Sequence, residues 1–323
     1  MSRSSITSLL VILSLVSLLS MLFITGCADS QQTADVSLEE VGFFKVGHRG
    51  ARGLMPENTI PSFKKAIEVG ANTIEFDVHI TKDEKVVIYH DNSFTPEYTT
   101  KPDGSDIAED EREMYTFYQM DYVDIKEFIV GEKPYPAFPE QERLKSYAPL
   151  LTEMIAKIEK FTDKHEEYDP VIYLLEVKSN PNADGFAQPD PETFMEIMMS
   201  RIEPYLDDIE GRLIIQSFDI RPLKVLQRTH PDIPLGFLTG DKGKTIADNI
   251  EEMGFTPQYY NPNFALVNRD LLEEAHERGL KVFPWTVQKK DKMKELQKMG
   301  VDGIITDYPD RLEEVMENEY DRE

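Results

Sequence analysis

The chain has one cysteine, Cys27, so no disulfide can form within it in any compartment. It is also poor in positive charge. Against 60 Asp and Glu stand only 35 Lys and Arg, a formal net charge of -25. Nucleic-acid binding needs a basic footprint, and no Lys/Arg-rich stripe supplies one, so that class of function is excluded. Acid runs such as Glu109-Asp110-Glu111 and the tail from Glu313 onward read as solvated surface. An anionic substrate would be repelled on average, so a site for one needs a local positive field. Disorder is excluded as well, because 40% hydrophobic residues describe a globular chain with a substantial core.

Charge is absent altogether from Ile6 to Ile24, a run of apolar or small residues that follows Arg3 and leads into Ile24-Thr25-Gly26-Cys27. Small residues directly before the lone cysteine resemble a bacterial lipobox, in which the cysteine is lipidated and becomes the first mature residue. The resemblance implies a signal peptide over residues 1–26 and a lipid anchor at Cys27. It places the domain outside the cytoplasm, as a periplasmic or cell-surface lipoprotein. An uncleaved anchor is the alternative, since the run is long enough to span a membrane. Residues 27–41 are polar and acidic and read as a flexible tether. A single domain is expected over 42–318, with no protein partner implied.

Along that domain a unit recurs: an amphipathic helix, a glycine, then a β-rich apolar run. Ala66-Ile67-Glu68-Val69-Gly70 leads into Thr73-Ile74-Glu75-Phe76-Asp77-Val78, and Leu296-Gln297-Lys298-Met299-Gly300 leads into Asp302-Gly303-Ile304-Ile305-Thr306. Ala275 to Gly279 does the same before Lys281 to Val287. Glycine accepts the left-handed conformation that ends a helix. Ile60, Phe63 and Ile67 share one helical face, as do Met293 and Leu296. Strands are expected at 43–48, 73–80, 86–90, 171–178, 212–219, 234–239, 256–261, 281–287 and 302–306. With 73–80 and 86–90 taken as one broken pair, the count is about eight. Several runs, such as Val171-Ile172-Tyr173-Leu174-Leu175, are almost continuously apolar, as strands buried on both faces are. The alternation predicts a (β/α)8 TIM barrel, with an open doubly wound sheet as the alternative. Residues 92–147 break the rhythm: polar and rich in Tyr and Pro, they read as an insertion beside the catalytic face.

Glu75 and Asp77 lie two apart on a strand, so their side chains share a face about 6.6 Å apart along it. Such a pair repels unless something positive intervenes. Glu176 is a third carboxylate on an otherwise apolar strand, where an unpaired charge is expensive. Three carboxylates suit Ca²⁺ or Mg²⁺ better than Zn²⁺. Asp83 and Glu84, by contrast, read as ordinary surface acids. His48 and His90 end strand candidates, and barrel strands present those ends to the active site, so the two imidazoles should converge as acid and base. His79, His165, His230 and His276 are expected to be structural. Arg49 offers a planar fork for a phosphoryl group, Gly50 permits close backbone approach, and Lys178 shares a face with Glu176.

Taken together, Gly47-His48-Arg49-Gly50, Pro56-Glu57-Asn58-Thr59, Glu75-Phe76-Asp77-Val78, Tyr89-His90-Asp91, Leu175-Glu176-Val177-Lys178, Gln216-Ser217-Phe218, Trp285-Thr286-Val287 and Asp302 to Pro309 resemble the glycerophosphodiester phosphodiesterases. The blocks occur in family order over about 43–310. The resemblance implies a TIM barrel, one divalent cation, and hydrolysis of small glycerophosphodiesters to glycerol 3-phosphate and an alcohol. It further implies metal ligation by Glu75, Asp77 and Glu176, acid–base work by His48 and His90, phosphate contacts from Arg49 and Lys178, and a glycerol pocket lined by Trp285. Two rivals remain. One is a phospholipase acting on intact lipids, for which Phe94, Tyr98 and the Tyr115–Tyr122 stretch would supply an apolar rim. The other is a non-catalytic, lipid-anchored protein that captures phosphorylated ligands.

Overall fold

A computed structural model describes residues 38–165, 167–209 and 211–320. Cys27, the segment 1–26 and the tether up to residue 37 lie outside the described residues. Eleven strands are present among the described residues: β1 Phe44–Gly47, β2 Thr73–Ile80, β3 Val86–Ile88, β4 Thr99–Thr100, β5 Ile129–Val130, β6 Ile172–Val177, β7 Leu213–Ser217, β8 Leu235–Thr239, β9 Tyr259–Pro262, β10 Lys281–Val282 and β11 Gly303–Thr306. Eight of them form one parallel path in the order β10-β9-β8-β7-β6-β2-β1-β11. Between β10 and β11 there is no ladder, but Asp302 N donates to Val282 O, Ile305 N to Pro284 O and Val287 N to Ile305 O, at 3.0 to 3.1 Å. The result is a nearly closed (β/α)8 barrel.

The expected pair 73–80 and 86–90 is an antiparallel hairpin of β2 with β3, and β3 stands off the barrel path. The expected strand 281–287 shortens to two ladder residues, in keeping with Pro284, which has no N–H to donate. Helices fill the intervals between barrel strands. Ile60, Phe63 and Ile67 bury one face of the helix Ile60–Glu68, and Met293 and Leu296 one face of Lys290–Met299. Gly70 and Gly300 follow these helices with φ of 96° and 95°. None of the helices among the described residues is long and apolar enough to cross a membrane.

Strand alternation explains why the runs are apolar yet the site is polar. On β6, Tyr173, Leu175 and Val177 face the helices, whereas Ile172 and Leu174 face the barrel interior. Glu176 takes the next inward position. On β2, Ile74, Phe76 and Val78 belong to the helix-side core, which leaves Glu75 and Asp77 facing inward. Phe44, Val46, Ile172, Leu174, Ile214, Tyr259, Phe283 and Ile305 pack the interior below them. Leu38 and Val41 lie against this cluster, and Lys281 Nζ donates to Leu38 O.

Residues 92–147 form more than a polar loop. Phe94, Tyr98, Ile107, Phe117, Tyr122, Ile125, Phe128 and Val130 are buried with Val87 and Tyr89 of the β3 region. The Phe94 and Phe128 rings stack at 4.2 Å. Most of the aromatic residues that would have rimmed a lipid-binding mouth are thus core: Phe94, Tyr98, Phe117 and Tyr122 are at most 6% exposed, while Tyr115 and Tyr118 are half-buried.

Register between β1 and β11 tolerates no side chain at Gly303. A Cβ there would lie 2.7 Å from Phe44 Cβ and 2.8 Å from Phe44 O. Replacing Gly303 by alanine should cost about 1–3 kcal/mol in urea unfolding. An unchanged unfolding free energy would mean that the two strands can part freely.

Candidate active site

The three inward carboxylates meet. One oxygen each from Glu75, Asp77 and Glu176 lies within 4.8 Å of the others, and all three residues are buried. The pairing of Asp77 opposite Glu176 across β2 and β6 brings this about. Burial raises Glu75 well above the usual carboxylate range, and the neighbouring Asp77 and Glu176 push it further up. Burial also raises Glu176, reinforced by Asp77 and opposed by Lys178. Asp77 is held low despite burial, because His90, Lys178 and Arg49 favour its charged form.

Glu75 Oε1 and Asp77 Oδ1 are buried without a hydrogen-bond partner among the described residues. Such oxygens are costly unless a further charge satisfies them. Two crowded, unsatisfied oxygen donors beside a third carboxylate suit a hard divalent cation, so the set could hold a metal ion.

Cations of the chain surround this cluster. Arg49 N donates to Glu75 Oε2 at 2.8 Å, its Nη1 to Glu57 Oε1 at 2.7 Å, and its Nε lies 3.5 Å from Asp77 Oδ2. Arg49 and Asn58 both have left-handed backbones, with φ of 52° and 56°. Asn58 Nδ2 donates to Asp77 Oδ2 at 2.8 Å, so the strained turn locks onto the carboxylates. Gly50 does permit a close approach, but to Ser62, whose atoms a Cβ at Gly50 would meet at 2.5 to 2.8 Å. Lys178 Nζ lies 2.8 Å from Glu176 Oε1 and 3.6 Å from Asp77 Oδ1.

Both histidines converge on the same cavity, each held from behind by an aspartate. His48 Nδ1 and Asp307 Oδ1 are 2.6 Å apart, and Gln288 Nε2 donates to the other oxygen of Asp307. Burial lowers His48, an effect that Asp307 opposes and Arg49 supports. His90 Nδ1 and Asp91 Oδ1 are also 2.6 Å apart, and Arg112 and Thr95 Oγ1 hold the second oxygen of Asp91. Lys178 Nζ approaches His90 Nε2 to 3.1 Å.

His79 is packed behind His90, with Nε2 3.0 Å from His90 O, and burial pushes it down to about 4. That neutral, structural position is the one expected. His165, His230 and His276 lie away from the cavity, beside Glu167, Thr229 and Asp302 respectively.

A cavity of about 190 Å³ is lined by His48, Arg49, Glu75, His90, Glu176, Lys178 and Trp285, among others. Trp285 Nε1 donates to Asn261 O, and its ring meets Phe218 edge-on at 5.3 Å. All eight residues expected in the site thus border one space or its carboxylate wall. Several supporting groups were not assigned roles from the sequence. Glu57 bridges Arg49 and Arg52, and Tyr98 of the insertion donates to it. Asp307 lies 259 residues from its histidine, so no local pattern could link them. Asp91 adjoins His90, and that adjacency was the one available hint.

Residues 48–311 match the glycerophosphoryl diester phosphodiesterase family. A glycerophosphodiester phosphodiesterase of Caldanaerobacter subterraneus is 32% identical over 272 residues, covering 83% of this chain and 95% of that protein. The crystal structure of a candidate glycerophosphoryl diester phosphodiesterase from Silicibacter pomeroyi superimposes with a TM-score of 0.74 at 29% identity, covering 85% of this chain and 93% of that one. An Oleispira antarctica phosphodiesterase, solved with sn-glycerol-3-phosphate, shares the fold at 19% identity with a TM-score of 0.66, over 84% of this chain and 96% of that one.

Repulsion among the carboxylates has a measurable cost in metal-free protein. A carboxyl whose folded pKa is raised destabilises the fold at pH values above its unfolded pKa. With chelator present at pH 7, Glu75→Gln should therefore be more stable than wild type in urea unfolding. Added divalent cation should stabilise wild type and leave the variant largely unmoved. A destabilised variant under chelator would show that Glu75 is held by its hydrogen bond more than it is repelled.

Proposed function

Since the chain belongs to the glycerophosphoryl diester phosphodiesterase family, and is thus a phosphoric diester hydrolase, we propose that it cleaves small glycerophosphodiesters by metal-dependent acid–base catalysis. The products are glycerol 3-phosphate and an alcohol. The observation that carries this reading is the pair of Asp-supported imidazoles bordering one cavity with a buried carboxylate triad. Binding alone needs no proton carriers, so the capture-protein reading loses to it. A phospholipase would need an apolar rim, and of the insertion aromatics that would supply one Phe94, Tyr98, Phe117 and Tyr122 are buried, while Tyr115 and Tyr118 are half-buried.

Glu75, Asp77 and Glu176 would hold the cation, Ca²⁺ or Mg²⁺, which when bound would supply positive charge beside the phosphoryl oxygens. Arg49 and Lys178 add fixed positive charge as negative charge grows there. His48 is the base. Asp307 accepts a hydrogen bond from its Nδ1–H, burial favours the neutral ring, and Nε2 takes the proton of the glycerol 2-hydroxyl. That oxygen bonds to phosphorus as the bond to the leaving alcohol breaks. His90 is the acid, its imidazolium steadied by Asp91, and gives its proton to the departing oxygen. Water then attacks the cyclic phosphate. His90 takes a proton from it, and His48 returns its own to the 2-oxygen.

An anchor at Cys27 would set this chemistry on a membrane surface outside the cytoplasm. Growth in labelled palmitate, followed by comparison of the wild type with Cys27→Ser, tests that placement. Label carried by both proteins, or by neither, would remove it.

Chelation should abolish glycerol 3-phosphate release, and readdition of Ca²⁺, Mg²⁺ or Mn²⁺ should restore it. Full activity in chelator would end the metal-dependent reading. His48→Ala and His90→Ala should each lower turnover by about 10² to 10⁴; a variant turning over at the wild-type rate removes that residue from the mechanism. A substrate without the 2-hydroxyl should resist cleavage, and normal cleavage of it would rule out the cyclic route.

A further inference from the structure

Beyond His90 the cavity opens into a second lobe of about 380 Å³, which shares His90, Glu176, Lys178 and Phe218 with the first. His48 borders only the smaller lobe. In the phosphodiesterase reading, on which this inference rests, the base works on the glycerol half and the acid on the leaving oxygen. Glycerol therefore occupies the smaller lobe, beside Trp285, and the alcohol departs into the larger one.

The larger lobe has the wrong chemistry for a quaternary ammonium. Cation recognition of that kind uses a cage of aromatic rings or an unpaired carboxylate. Phe218 is the only aromatic ring other than histidine among the lining residues, and it packs edge-on against Trp285. Both lining acids are already neutralised, Asp91 by Arg112 and Glu176 by Lys178. The lobe offers amides instead. Gln188 is committed to the wall: its Nε2 donates to Ser179 Oγ and Asp184 Oδ1, and its Oε1 accepts from Asn180 N. Asn92 is not, and Asn180 is committed only through its Oδ1, which accepts from Asn182 N. Among the described residues no hydrogen bond engages the Asn92 carboxamide or the Asn180 side-chain nitrogen, and both residues line the lobe.

We propose that this lobe is a leaving-group site for polyhydroxy alcohols, with the Asn92 and Asn180 amides hydrogen-bonding the alcohol's hydroxyls. Sites built on hydroxyl recognition discriminate strongly against analogues that lack the group, because their polar atoms are then left unpaired. Asn92 and Asn180 are exposed, so water serves the Asn92 carboxamide and Asn180 Nδ2 in the free protein, and a trimethylammonium group covering them would displace that water without replacing its hydrogen bonds.

The test measures kcat/KM of the full chain, with divalent cation added, on glycerophosphoglycerol, glycerophosphoinositol and glycerophosphocholine. The polyol diesters should be faster by about tenfold or more, which corresponds to about 1.4 kcal/mol of differential binding. The double variant Asn92→Leu/Asn180→Leu should draw the polyol-to-choline ratio toward one, with its thermal midpoint reporting that it is folded. If that variant does not fold, Asn92→Leu alone, at an exposed position, should still reduce the ratio. Glycerophosphocholine as the faster substrate, or a ratio untouched in a folded variant, overturns the inference while leaving the phosphodiesterase reading intact. No glycerol 3-phosphate from any diester overturns both.

Discussion

Three carboxylates on two adjacent strands, buried and facing one another, are the constraint around which the rest of this site is built. Glu75, Asp77 and Glu176 cannot all ionise in isolation at that separation, and burial makes the penalty larger. The surrounding chemistry answers it. Arg49 is pulled into a left-handed backbone to lie against Glu75 and Asp77, Asn58 donates to Asp77, and Lys178 spans Asp77 and Glu176. What those groups leave unsatisfied, one oxygen on Glu75 and one on Asp77, is where the site calls for further positive charge.

The same residues resolve the conflict between a very acidic protein and an anionic substrate. Arg49, Arg52 and Lys178 line the smaller lobe, and Lys178 and Arg112 the larger. A protein with a formal net charge of -25 thus gathers cations around its cavity, although the buried carboxylates there still call for more positive charge. Each of these cations is tied to a buried or half-buried acid, so the positive charge is held in place by ion pairs that cost little solvent exposure.

The insertion belongs to this arrangement as well. Its own aromatic core gives it a rigid frame, and from that frame three side chains reach the site: Tyr98 to Glu57, Arg112 to Asp91, and Tyr135 within 3.4 Å of Arg52. Through Asp91 it bears on His90, and through Glu57 on Arg49. A segment that reads as a break in the βα rhythm is therefore one wall of the cavity. Its place beside the catalytic face was expected, but its polar, Tyr-rich composition did not reveal a core of its own. The aromatics alternate with charge too irregularly for a helical or strand period to mark them as a core.

Much of the architecture was legible because it rests on short-range physics. Continuous apolar runs on Val171–Leu175 and Leu213–Ile215 follow from strands buried on both faces, and glycines such as Gly70 and Gly300 end helices where a left-handed backbone is required. Spacing of two on Thr73–Val78 placed Glu75 and Asp77 on one face without any knowledge of the fold. Register lay beyond the sequence: nothing local says that Asp77 stands opposite Glu176, or that the chain returns 259 residues later to set Asp307 behind His48. Those pairings depend on barrel closure, in which each strand's position is set by its neighbours' hydrogen bonds rather than by its own residues. Sequence alone thus determined which groups are candidates for the chemistry and which face of their strand they take. Only the tertiary structure decided which of them meet, because contacts between distant segments are properties of the closed sheet.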